Sequence, residues 1–324
     1  MIWVAWRQQR AQLVSLLVLL IAGGGAVLVL RGVMQSDLSA LGNCLSGTAD
    51  EACRVRTGEF QDTWFDRLKA AQFFLLALPV LLGMFCGAPL IARELEHGTH
   101  LLALTQSVGR GRWMGTKLAM AAAPAVLVLV VLQLLVAGWL DTAGSLGPLV
   151  SGPYAYPTFG SSGVSPAVYL LFCLAIGMAV GTLARRTLVA MTVTLLSFLV
   201  LRVALSIVQP SLGGVERVVS DDPSTAAVTG RGVQVTGSGF LTAGGQEISS
   251  KAAHSQVASC GAHGNSATSA DLATCYREHG LAKSFADVLP AGSATAVHWV
   301  EAAVFAVLAA AAVLASWWAL RRRV

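Results

Sequence analysis

Six apolar runs, each long enough to cross a bilayer, dominate this sequence: residues 13–30, 70–92, 118–140, 166–184, 187–208 and 294–320. A hydrocarbon core about 30 Å thick takes about 20 residues of helix. Inside it, every backbone N–H and C=O must be bonded within the segment itself, so runs of this kind fold as helices. The second and third runs each hold 23 uncharged residues. Charged residues make up only 12% of the chain, about half the share usual in soluble domains. The expected fold class is an all-α polytopic membrane protein with six transmembrane helices.

Segments 1–12, 13–208, 209–293 and 294–324 organise the chain. Trp3 and Trp6 lie three apart, as do Arg7 and Arg10, which suits a helix at headgroup level over residues 1–12. A signal peptide is the rival reading. Run 13–30 exceeds a usual h-region and no small-x-small cleavage site follows it, so a retained first span is expected. Pro79 and Pro89 should kink the second span. Residues 141–165, rich in Gly, Pro, Ser and Tyr, read as a loop. Residues 209–293 form the largest polar piece, with β-like runs at 232–236 and 239–242 and a helical signal at 271–279.

Six spans put both termini on one side. With the termini inside, the inner segments hold 11 Lys/Arg against two acids, and the outer ones 10 against 14. The short inner segments, including Arg185-Arg186 and Arg321-Arg322-Arg323, satisfy the positive-inside rule and place both termini in the cytoplasm. The eight tryptophans fall near span ends, as aromatic belts do. Cys44 and Cys53 share one outer loop, and Cys260 and Cys275 share the large outer segment. An oxidising exterior favours disulfides. Four cysteines allow three pairings, and short spacing favours 44–53 and 260–275. His254, His263 and His279 read as surface residues, and no zinc-type spacing is present.

No Walker A pattern occurs. Gly111 to Lys117 has glycines and a lysine at the wrong spacing and runs into a span. HExxH and GxSxG are absent too. No catalytic site or metal site is expected, and any nucleotide must be held elsewhere. Gly177 and Gly181 form a GxxxG pattern, which could pack on another helix or on a second subunit; chance occurrence in a glycine-rich chain is the default reading over a dedicated dimer seam.

Residues 92–117 are the longest polar interruption on the inner side. Gly98-Thr99 breaks the preceding helix and offers a cap, after which Leu101, Leu102 and Leu104 follow with little charge. A short amphipathic helix there suits docking into a partner's groove; an ordinary solvated turn is the other reading. The pattern Glu94-x-Glu96-x-Gly98-Thr99, then Thr105-Gln106-Ser107-Val108 and a basic stretch ending at Lys117, resembles the loop between the second and third spans of ABC-exporter permeases. The actinobacterial multidrug and antibiotic exporter permeases are the most similar in layout, including the opening Trp6-Arg7-Gln8-Gln9-Arg10. Gln106 departs from them, since many carry proline there. The resemblance implies that loop 93–117 is a coupling loop moved by a separate ATPase subunit, with Glu94, Glu96, Gly98, Thr99, Leu101 and Leu102 as its contact residues. It also implies two permease chains, as a homodimer, with two ATPases that bind ATP and Mg, an amphipathic or apolar small-molecule cargo, membrane lipids around the spans, and no nucleic acid.

Arg202 and Glu301 are the charges within spans. Each costs on the order of 3 kcal/mol at a span centre. Arg202 lies eight residues before Pro210 and Glu301 eight after Ser293, so both sit toward the outer ends at similar depth. Similar permeases carry an acid after a Trp-hydrophobic pair, as in Trp299-Val300-Glu301. A structural clamp between spans five and six is the default reading, because pairing is how a membrane tolerates charge; a gate or a polar cargo site is the alternative. Two rival functions stand beside the exporter. A non-transporting sensor or immunity protein would use the outer segment to bind a ligand. An ion-coupled transporter would carry midplane carboxylates and inverted repeats, neither of which is present.

Overall fold

The computed structural model describes residues 2–42, 44, 50–96, 109–224, 233–257, 260 and 269–323. Its helices are α1 (Ile2–Leu41), α2 (Glu51–Leu82), α3 (Pro89–Glu96), α4 (Arg110–Ala143), α5 (Thr158–Ser161), α6 (Ser165–Ala184), α7 (Thr187–Gly213), α8 (Ser250–Gln256), α9 (Ser269–Glu278) and α10 (Ala294–Arg323), with strands β1 (Glu216–Ser220), β2 (Gln234–Thr242), β3 (Glu247–Ser249) and β4 (Leu281–Leu289). Six helical stretches are long and apolar enough to cross a membrane: Gln9–Leu41, Glu51–Glu96, Gly111–Leu146, Ser165–Ala184, Thr187–Gly213 and Ala291–Arg322.

Two compact units result, one formed by Met1–Val150, Tyr156–Leu205 and His298–Val324, the other by Ser151–Ala155 and Ser206–Val297. In the first, α1 runs unbroken from Ile2 to Leu41, with no boundary at residue 12. The outer loop expected to hold Cys44 and Cys53, between the first and second apolar runs, is largely helical in its described residues. α2 begins at Glu51, and Phe60, Trp64, Leu68, Gln72 and Leu75 repeat along its buried face at helical spacing. That face holds the extension in place. Trp64 Nε1 donates to Asp37 Oδ2 at 2.9 Å, tying α2 to α1, and Cys44–Cys53 is a disulfide across the turn.

The break after α2 has a local cause. Pro89 has no N–H to bond back into the helix, and a π-turn, Gly83–Gly87, precedes it. Pro89 then opens α3, where its missing donor costs nothing. The wide turn lies directly against α6. A Cβ at Gly87 would lie 2.8 Å from Leu174 Cα, and one at Gly177 would lie 2.8 Å from Ala88 N. The GxxxG pattern is therefore a seam within the chain. Lipid tails are as apolar as leucine, so close backbone contact is a main source of attraction between spans.

Two tryptophans expected in an interfacial belt are instead core residues. Trp64 and Trp139 are each 1% exposed and meet edge to face, with centroids 6.3 Å apart. Asp37 supplies the acceptor that lets the Trp64 indole be buried. A second core gathers Tyr169, Phe172, Cys173, Phe198 and Phe305. Segment 141–165, expected as a loop, adds the short helix α5, all four of whose residues are buried.

The second unit corrects the all-α expectation. It contains a four-stranded antiparallel sheet in the order β1-β4-β2-β3. The two β-like runs are one strand, β2, with an irregularity between Val235 and Gly237 where they join. The register shift falls at Gly237, a residue type common at such irregularities. α9 is joined to Cys260 by the disulfide Cys260–Cys275, over a core of Ala253, Val257, Cys260 and Leu281.

On this sheet Arg217 bridges Asp287, at 2.7 and 3.0 Å, and Glu247. The guanidinium hydrogen bond holds the Asp287 carboxyl below its usual range, and the two carboxylates raise Arg217. A depressed carboxyl stabilises the fold above its unfolded pKa, and that contribution disappears as pH falls through the folded value. Protection of β1 and β4 amides, corrected for intrinsic exchange, should therefore decline below about pH 4. Arg217→Met should flatten that decline, by a modest amount because the groups are exposed.

Candidate functional site

Glu94 and Glu96 sit two residues apart on α3. Residues at i and i+2 point to different sides of a helix, so the pair can reach two neighbours at once. Glu94 makes a salt bridge to Lys117 on α4. Lys117 is buried, its Nζ lies 4.6 Å from the Trp113 ring centroid, and its backbone carbonyl accepts from Gln9 Nε2 at 3.3 Å. Glu96 turns to α7. Its two carboxylate oxygens accept from the Thr187 backbone N–H and from Thr187 Oγ1, both at 2.8 Å. A carboxylate on the first residue of a 27-residue helix meets unpaired N–H groups and the positive end of the helix dipole. The α6–α7 turn that presents Thr187 is tight, with Arg185 at φ 55°. The end of α3 is thus fastened to both α4 and α7. The other residues assigned to this loop, Gly98, Thr99, Leu101 and Leu102, lie outside the described residues.

A second polar cluster lies within the spans. Arg202 Nη1 is 3.4 Å from Glu301 Oε1. Glu301 is 4% exposed, and the same oxygen accepts from Tyr169 Oη at 2.6 Å. The Arg202 guanidinium stands over the Phe159 ring, 5.6 Å from its centroid. Phe159 stacks on His298 with centroids 3.9 Å apart, and His298 Nδ1 lies 2.8 Å from Ser165 Oγ. Arg202 Nε is buried without a hydrogen-bond partner among the described residues. One carboxylate thus gathers α6, α7 and α10, with α5 stacked beside them. The cluster can hold a cation in hydrocarbon while it joins these elements.

Among the cysteines, Cys260 and Cys275 lie close to His279. Both sulfurs are in the disulfide, and His279 Nδ1 is 2.9 Å from the Cys275 carbonyl oxygen. The group therefore offers no thiolate to a metal ion. Cys86 and Cys173 are free and buried.

Sequence reasoning singled out Glu94, Glu96, Arg202 and Glu301 but missed what holds them. Lys117 stands in the sequence as the basic end of the loop and as the lysine of an ill-spaced glycine stretch, although a lysine at the foot of an apolar run needs a counter-charge. Tyr169, a phenol within the fourth run, was the available signal for a buried hydrogen bond. Thr187 and His298 carried none, because their roles depend on which helices adjoin.

A family model described as "ABC-2 membrane transporter related" matches residues 17–209 of this chain, about 60% of its length. Comparison with curated proteins and with solved structures returned no match.

Proposed function

This chain belongs to the ABC-2 membrane transporter related family, and on that premise we propose that it is the permease subunit of an ATP-binding-cassette exporter. In this reading a separate ATPase binds ATP and Mg and docks on loop 93–117, two permease chains pair as a homodimer, and the cargo is an amphipathic or apolar small molecule. Membership of the actinobacterial multidrug and antibiotic exporter permeases is part of the proposal. So are cytoplasmic termini and an extracellular position for segment 209–293, where the disulfide Cys260–Cys275 suits an oxidising side.

The observation that carries this reading is the fastening of α3. A displacement delivered just beyond Glu96 reaches α4 through Glu94–Lys117 and α7 through Glu96–Thr187. Both carboxylates, assigned from sequence to contact with the ATPase, are engaged inside the chain, so their proposed role is to pass the movement on. Spans three and five then move with the end of span two. Coupling of this kind is a difference in contact energy between two states.

The test is ATP hydrolysis by the chain reconstituted with the ATPase that copurifies with it. Glu96→Gln and Lys117→Met should each leave insertion and basal hydrolysis intact while lowering cargo-stimulated hydrolysis about tenfold. Unchanged stimulation in both variants would sink the transmission role. Failure of any Walker-containing chain to copurify would sink the exporter reading itself.

A further inference from the structure

A cavity of about 790 Å³ opens between residues 9–15 of α1, the π-turn with α3, and Lys117 of α4. That volume lies within the range of small-molecule sites. It has two walls of opposite character. Phe85, Pro89 and Leu90 supply apolar surface, while Gln9, Gln12 and Ser15 line the α1 side, and Arg93, Glu94 and Lys117 complete the lining.

Gln9 gives the cavity its chemistry. Its side-chain Nε2 donates to the Lys117 carbonyl oxygen; only the amide nitrogen can do this, so the orientation of the group is set. Among the described residues its Oε1 is left as an acceptor with no partner, on a side chain 9% exposed. Buried acceptors are ordinarily bonded, so an occupant with an N–H or O–H donor completes the site. The charges add a second requirement. Lys117 is matched by Glu94, whereas Arg93 is exposed and makes no ion pair among the described residues. An anionic group therefore fits on Arg93, while the bare carbonyl oxygen of the Gln9 side chain suits an N–H donor, charged or not. The apolar wall accepts a tail.

We propose that this cavity binds an amphiphile with a zwitterionic head, its anionic group on Arg93 and its N–H donor on Gln9 Oε1. Phosphatidylethanolamine has this chemistry; phosphatidylcholine has the same charges but no N–H to give. The site does not depend on export, and its test reads binding alone.

The purified full chain in detergent is titrated with phosphatidylethanolamine and phosphatidylcholine carrying the same acyl-chain spin label. Ethanolamine lipid should bind about tenfold tighter, the worth of one added hydrogen bond. Gln9→Leu should bring the two lipids within about twofold, and Arg93→Gln should weaken both about fivefold, as loss of an exposed charge contact allows. Arg93 is exposed, so its variant stays informative if Gln9→Leu fails to fold, and thermal unfolding of each variant checks this. A resident lipid and an exported amphiphile share this chemistry. Retention through extensive detergent dilution marks the first, and ready exchange with added lysophosphatidylethanolamine marks the second. Equal binding of both lipids to the unaltered chain, or a headgroup preference that survives Gln9→Leu, overturns the proposal.

Discussion

Replacing Glu301 with leucine is expected to cost the bundle about 3–5 kcal/mol, because it strands a buried charge. Arg202 has its counter-charge at 3.4 Å, and the same carboxylate oxygen is the acceptor for Tyr169. Losing the carboxylate leaves a guanidinium and a phenol unmatched in a membrane span, and the unbonded phenol alone costs about 1–3 kcal/mol. Removing both charges, as Arg202→Leu with Glu301→Leu, should recover the share due to the stranded guanidinium but not that of the Tyr169 phenol, since a buried pair is worth little net against apolar side chains. Thermal unfolding of the four proteins of this double-mutant cycle, purified in one detergent, gives the coupling energy. If the double variant proves no more stable than Glu301→Leu, charge pairing is not what holds these helices. The same double variant separates clamp from gate. A clamp predicts that export by the folded double variant persists, and a gate predicts that it disappears.

Gly177→Leu is expected to be about as damaging, at about 3 kcal/mol or more. Its first added carbon would sit 2.8 Å from Ala88 N and 3.1 Å from Gly87 C. Both are backbone atoms, in a turn where Gly87 itself has Leu174 Cα at 2.8 Å from its own missing Cβ. No rotamer relieves this, so α6 must move away from the π-turn. Gly25 is the control: nothing lies within 4 Å of its missing Cβ, and Gly25→Ala should hold stability or raise it by up to about 1 kcal/mol through helix propensity. Midpoints of thermal unfolding decide the matter. Gly177→Leu melting within a degree or two of the parent would show that α6 and the turn are not in close contact.

What the sequence determined by itself is position along the membrane normal. Hydrocarbon leaves the backbone no partner but its own helix, so the apolar runs at 13–30, 70–92, 118–140, 166–184, 187–208 and 294–320 define the helices wherever the chain goes next. The depth of Arg202 and Glu301 could likewise be counted from Pro210 and Ser293, and the short spacing of each cysteine pair pointed to its partner. The four-residue spacing of Phe60, Trp64 and Leu68 also carries a helical signal, although the polar residues between them resemble a loop.

Rotation about the membrane normal was a matter for the tertiary structure alone. In water a helix declares its inner face by polarity, but in lipid both faces are apolar. On α7, Phe198 is 4% exposed and Val200 is 69% exposed, and nothing in those two side chains ranks them. Which spans adjoin, and so that Glu94 meets Lys117, Glu96 meets Thr187 and Tyr169 meets Glu301, follows from packing of glycine seams and the few polar groups, whose partners lie 23, 91 and 132 residues away. Segment 209–293 was hidden for a different reason. β2 carries Gly237 and Gly239, which break an alternating strand pattern, and β1 is exposed along most of its length, so only long-range pairing with the mostly buried β4 reveals the sheet.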